Sequence, residues 1–149
     1  MVPRVLHIDD EAPIRLLARL NLEWEDEMEV IEAADGPTGL RLAKSELPDL
    51  ILLNVNLPGL DGWHVAEELR KDEKTRAIPV VFLTARSRLK EIARGLELGA
   101  VDYITKPFNP LELAPHLLGL LERLDRGERD ELLREKMSEL RALMRDEVS

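Results

Sequence analysis

Four short stretches of this chain run into side chains that chemistry can use. "RVLHI" is followed by Asp9 and Asp10, "LILLN" ends in Asn54, "VVFLT" ends in Thr84, and "VDYIT" is followed by Lys106 and Pro107. Two adjacent carboxylates beside a loop carbonyl suit Mg2+, which takes oxygen ligands and keeps several waters. A hydroxyl and an ammonium nearby could hold the oxygens of a phosphoryl group. No nucleophile completes the set at Asn54, because an amide is neither acid, base nor nucleophile.

These residues lie far apart in sequence, so only a fold that gathers strand ends makes them a site. Apolar runs recur at 4–8, 28–32, 50–54, 80–84 and 101–105. Several are apolar at consecutive positions, the mark of strands covered on both faces. Amphipathic segments separate them. The first, 12–24, has Pro13 near its start and Ile14, Leu17 and Leu20 along one side. The second follows Asp35-Gly36, and the third starts after Asp61-Gly62. The fourth carries Leu89, Ile92 and Leu96 and ends at Gly99, and the fifth follows "KPFNP" with Leu117, Leu121 and Leu124. Five strands alternating with five helices give a doubly wound α/β sheet. Right-handed crossovers then bring the strand ends to one edge. The five-strand version of this architecture has the order 2-1-3-4-5 and binds ligands where the first and third strands diverge.

Composition narrows the function classes. The chain has 149 residues, 44% hydrophobic and 34% charged, with no cysteine and a formal net charge of −9. That is the profile of one globular domain with a short appendage. Disulfides and thiolate metal sites are excluded. With no clustered Lys and Arg to neutralise phosphates, nucleic-acid binding is not expected. No apolar run reaches the roughly 20 residues of a membrane span, and "MVPRVLHIDDE" lacks the features of a signal peptide. A cytoplasmic location is the expectation. His7, His64 and His116 show no ligand spacing and read as structural or exposed, and no GxGxxG follows any strand.

"HIDDE", "ILLNVNLPGLDG", "VVFLTA" and "YITKPF", in this order and spacing, resemble the receiver domain of two-component response regulators. The similarity covers about residues 3–124 and implies the flavodoxin-like, five-stranded parallel fold. It implies that Asp9 and Asp10 form an acidic Mg2+ pair, with Asp10 the direct ligand and the Asn56 carbonyl and position 54 completing the set. Thr84 and Lys106 would hold the phosphoryl group, Tyr103 would be the switch aromatic that follows Thr84, and Asn56 and Arg86 would tune dephosphorylation. The Lys106-Pro107 bond is often cis in such domains. The implied partners are a sensor histidine kinase and a downstream protein, with no intrinsic enzymatic role.

The departure lies at position 54, where the family carries the aspartate that accepts phosphate and this chain carries Asn54. An amide oxygen is a far weaker nucleophile than a carboxylate, and its product would not be a stable acyl phosphate. Losing one of three clustered carboxylates should also steady the metal-free fold and weaken Mg2+ binding. One close charge contact is worth about 4 kcal/mol at an effective dielectric near 20, before desolvation is subtracted. Two origins fit: a laboratory Asp-to-Asn substitution, favoured by the otherwise intact site, and a natural pseudo-receiver that acts unphosphorylated as a dimerising scaffold. A Mg2+-dependent α/β phosphatase using Asp9 or Asp10 as nucleophile is a third reading.

A receiver of 1–124 would leave 125–149 as a charged tail with eight acids and six bases. Leu133, Met137, Leu140 and Met144 form an apolar seam on it, and Gly127 breaks the helix before it. Such a helix is marginal alone, so its seam must cover something. The expectation favours pairing with a second copy or a partner over packing on its own domain, with a homodimer through this helix, the face made by the fourth helix, fifth strand and fifth helix, or both. The tail is too short and too acidic for a DNA-binding output domain, so a stand-alone, single-domain response regulator with output by protein contact is expected.

Overall fold

A computed structural model of the chain describes residues 2–85, 89–97 and 99–148. Strands β1 (Arg4–Ile8), β2 (Glu29–Ala33), β3 (Leu50–Asn54), β4 (Val80–Ala85) and β5 (Asp102–Lys106) form one parallel sheet in the order β2-β1-β3-β4-β5. Helices α1 (Ala12–Leu22), α2 (Gly36–Glu46), α3 (Gly62–Lys71), α4 (Leu89–Glu97) and α5 (Pro110–Asp125) alternate with them, and α6 (Arg129–Val148) follows. Central β3 is buried along its whole length, which is why its sequence does not alternate. Asp35 and Asp61 cap α2 and α3 by accepting from the N–H groups of Thr38 and His64.

The pleat divides the core in two. Leu6, Ile8, Ile51, Leu53 and Phe82 face one side, where Ala43, Val65, Leu69, Ile92 and Leu96 from α2, α3 and α4 cover them. Val5, Leu50, Leu52, Val81 and Leu83 face the other, under Ala18 and Leu22 of α1 and Leu113, Leu117 and Leu120 of α5. Trp63 packs against Phe82 with ring centroids 4.8 Å apart.

Two expectations need correction. The buried face of α1 is Ala18 and Leu22, with Ile14 partly buried, while Leu17 and Leu20 are exposed together with Leu16 and Trp24. Small Ala18 lets α1 lie close to α5 and β2, and that turns the leucines outward. The seam of the tail is also turned inward, onto its own chain. Leu140 is fully buried, and Leu133, Met137, Leu143 and Met144 pack on the cluster that holds Ile92, Leu96 and Tyr103. The trough beside α4 and β5 is apolar and within reach of a short connection, so α6 covers it without a second copy. No helix among the described residues is long and apolar enough to cross a membrane.

Candidate functional site

The C-terminal ends of β1, β3 and β5 deliver the pocket. Asp9 and Asp10 follow β1, and the N–H of Asp9 extends the pairing with β2 by donating to the carbonyl of Ala33 at 3.0 Å. Asn54 closes β3 and is 3% exposed. Its loop is folded back tightly: a Cβ on Gly62 would lie 2.5 Å from the Asn54 carbonyl oxygen and 2.7 Å from the Cα of Val55. Gly62 donates to the Val55 carbonyl at 3.0 Å, so only glycine fits where the loop joins α3. Lys106 closes β5, and the peptide bond to Pro107 is cis.

The amide of Asn54 is the centre of the arrangement. Its Nδ2 donates to Asp9 Oδ1 at 3.2 Å, to Asp10 Oδ1 at 3.3 Å and to the Asn56 carbonyl at 3.3 Å. Its Oδ1 accepts from the Asn56 N–H at 3.3 Å. Two hydrogens cannot satisfy three acceptors at ideal geometry, and all of these contacts are long for their type. The three acceptors are the oxygens expected to hold Mg2+. Two carboxylates and a carbonyl fit a hard cation, but the fourth group turns a donor toward it, so the donor set fits Mg2+ only in part.

Asp9 is wholly buried. Burial pushes its carboxyl up, but the His7 ring, the Glu11 N–H and the charge of Lys106 outweigh that and hold it below the ordinary carboxylate value. The supporting distances are 3.5 Å to His7 Nε2, 2.9 Å to the Glu11 N–H and 3.5 Å to Lys106 Nζ. Lys106 also pairs with Glu11 at 3.0 Å. Arg15 donates to the Asp9 carbonyl at 2.7 Å and pairs with Glu32, as does Arg19. The end of β1 is thereby tied to α1 and β2.

Asp9, Asp10, Asn54, Asn56 and Lys106 are therefore brought together. Thr84 lies one residue beyond Leu83, the register partner of Asn54, and alternation puts it with Phe82 on the opposite face. Its hydroxyl donates to the Ala85 carbonyl at 3.3 Å. Tyr103 is buried on the α4 side, opposite Phe82 in register. Arg86 lies outside the described residues. Sequence reasoning missed two participants, His7 under Asp9 and Glu11 on Lys106, and, away from the pocket at the start of β5, buried Asp102. The signal for Asp102 was an acid inside the apolar run "VDYIT". Its carboxylate contacts His116 Nε2 at 2.6 Å and Lys136 Nζ at 3.3 Å.

A family model described as the response regulator receiver domain matches residues 5–118. The chain is 43% identical over 125 residues to the DNA-binding dual master transcriptional regulator RpaA of Synechocystis sp., covering 84% of this chain and 52% of that protein. It is 42% identical over 124 residues to the phosphate regulon transcriptional regulatory protein PhoB of Escherichia coli, covering 83% and 54%. The chain thus spans about half the length of these curated relatives. Among solved structures, a putative response regulator from Chloroflexus aurantiacus superposes with a TM-score of 0.76 at 32% identity, over 83% of this chain and all of that one. The chemotaxis response regulator CheY4 of Vibrio cholerae gives 0.73 at 29% identity, over 81% and 99%.

Proposed function

We propose a function from one premise: the chain belongs to the response regulator receiver family, whose model covers residues 5–118. It is a receiver module of two-component signalling that passes its signal by protein contact and is not phosphorylated at position 54. The observation that carries this reading is the amide of Asn54, which donates to Asp9, Asp10 and the Asn56 carbonyl. Those bonds supply internally part of the positive potential that a cation would bring, and they leave no carboxylate at the end of β3 to attack phosphorus. Lys106 is the group that would bind a phosphoryl oxygen, Thr84 would join it by turning inward from the Ala85 carbonyl with buried Tyr103 following, and a sensor histidine kinase is the upstream partner. Mg2+ binding, a general property of receivers, is weakened here.

The test is the single change Asn54→Asp. With Mg2+ and a small-molecule phosphodonor, the revertant should gain the mass of one phosphoryl group, and the native chain none. An unlabelled revertant, or a native chain labelled equally well, overturns the reading. The intact Asp9, Asp10, Thr84 and Lys106 favour a second account, that Asn54 is a deliberate replacement of the acceptor aspartate. An aspartate codon at position 54 in the source genome would establish it.

A further inference from the structure

The face made by α4, β5 and α5 is incomplete without α6. It holds an apolar trough in which Leu140 is fully buried, with Leu133, Met137, Leu143 and Met144 beside it. It also holds a carboxylate with no exposure: Asp102 accepts from the Tyr103 N–H at 2.7 Å, contacts His116 at 2.6 Å and pairs with Lys136 of α6 at 3.3 Å. Removing α6 would uncover the trough and take an ammonium from a buried acid, which is costly. In this chain α6 is the helix whose seam and lysine occupy the face.

What sends α6 to its own face is one reversal of three residues. The N–H of Gly127 donates to the Leu124 carbonyl and that of Glu128 to the Arg123 carbonyl, each at 3.0 Å, the paired hydrogen bonds of a Schellman stop. Gly127 sits at φ +78°, where side chains are strained. Arg123 and Arg126 both pair with Glu128 and hold the bend. The sequence around it, "LLERLDRGERDELLREK", is otherwise made of Leu, Glu, Arg and Lys, all strong helix formers, apart from Asp125 and Asp130. If the bend straightens, α5 and α6 become one helix, and α6 points away from its own trough.

We propose that α6 exchanges between two copies of this chain, so that the second copy's α6 fills the trough and the second copy's Lys136 meets Asp102. Exchange keeps every contact of the closed form and alters only the hinge and the entropy of association, which makes it a low-cost route to a dimer. The occupant is a second copy because α6 is the helix whose apolar seam and lysine match this trough and this acid. The proposal goes beyond the protein-contact reading and does not depend on the chemistry at position 54, so the two tests fail separately.

Gly127→Ala penalises the left-handed bend and favours the continuous helix. It should lower the dimer dissociation constant by about tenfold or more, read by light scattering across protein concentrations. Gly127→Asn tolerates the bend better and should behave like the native chain. The chain has no cysteine, so site-specific cross-linking identifies the arrangement. Ile104 and Leu143 both border an open groove of about 380 Å³ between β5, α5 and α6, and disulfide formation in a single chain carrying Ile104→Cys with Leu143→Cys calibrates their reach. Mixing Ile104→Cys and Leu143→Cys chains, each carrying Gly127→Ala, should give a disulfide-linked heterodimer. A Gly127→Ala chain that stays as monomeric as the native one overturns exchange, and so does a dimer that gives no mixed disulfide. Should Gly127→Ala aggregate, the two single-cysteine chains with the native hinge carry the test at high concentration. There, a mixed disulfide supports exchange, and a disulfide that forms within the doubly substituted chain but never between the two single-cysteine chains overturns it.

Discussion

An amide at position 54 exchanges one negative charge for two N–H donors, and every neighbour registers the change. Asp9 and Asp10 face no third carboxylate there, and the Asn56 carbonyl has a donor that an aspartate would lack, while the Asn56 N–H would find an acceptor in either case. Each buried acid also meets an ammonium, Asp9 that of Lys106 and Asp102 that of Lys136. Burial pushes the Lys136 ammonium down, but Asp102 and Glu139 outweigh it and hold it above the ordinary 10.5. A raised lysine stabilises the fold while it is charged. That contribution is complete below 10.5 and is lost as pH rises through the higher folded value. Urea midpoints of the native chain should therefore fall, relative to those of Lys136→Met, as pH is raised past 10.5. Parallel curves for the two proteins would show that the pair is not coupled to folding. Asp9, Asp10, Asn54 and Lys106 were legible because strand ends fix where they go. The contacts of His7 with Asp9 and of Lys136 with Asp102 were not, because only the packed helices and sheet decide them.

Among the elements, the strands were the easiest to read, since apolar runs between turns match β1, β3 and β4 to within a residue. Helix α1 was misread because Leu17 and Leu20 outweigh Ala18 in hydrophobicity, whereas packing against α5 selects the small residue. The apolar seam of α6 was visible in its 4-3-4 spacing, but its target was not: periodicity says that a face must be covered and never by what. Leu140 is the residue on which α6 docking turns. Leu140→Ala should destabilise the chain by about 2–5 kcal/mol in urea unfolding, from lost burial plus the cavity left behind. A loss under about 1 kcal/mol would mean that α6 contributes little to the fold.

For the whole molecule, the sheet order follows from right-handed crossovers and short connections, and it is the order β2-β1-β3-β4-β5 that sets Asn54 beside Asp9. Metal linkage is a property of this whole arrangement. A ligand that binds only the native state raises the melting temperature by mass action. At tenfold its dissociation constant, Mg2+ should raise that of Asn54→Asp by roughly 3 to 8 °C. The native chain at the same concentration should shift much less. Equal shifts in calorimetry would mean that the amide does not weaken the acidic site.

A five-stranded open sheet leaves two raw borders, at β2 and at β5, where a foreign strand could add. On the β2 side, Glu32 is held by Arg15 and Arg19, and Glu29 stands near Arg4. On the β5 side, α6 lies against the strand and Lys136 anchors it. Charge guards one border and a helix the other, and the same tail that shapes a contact surface thus also protects the chain from uncontrolled polymerisation.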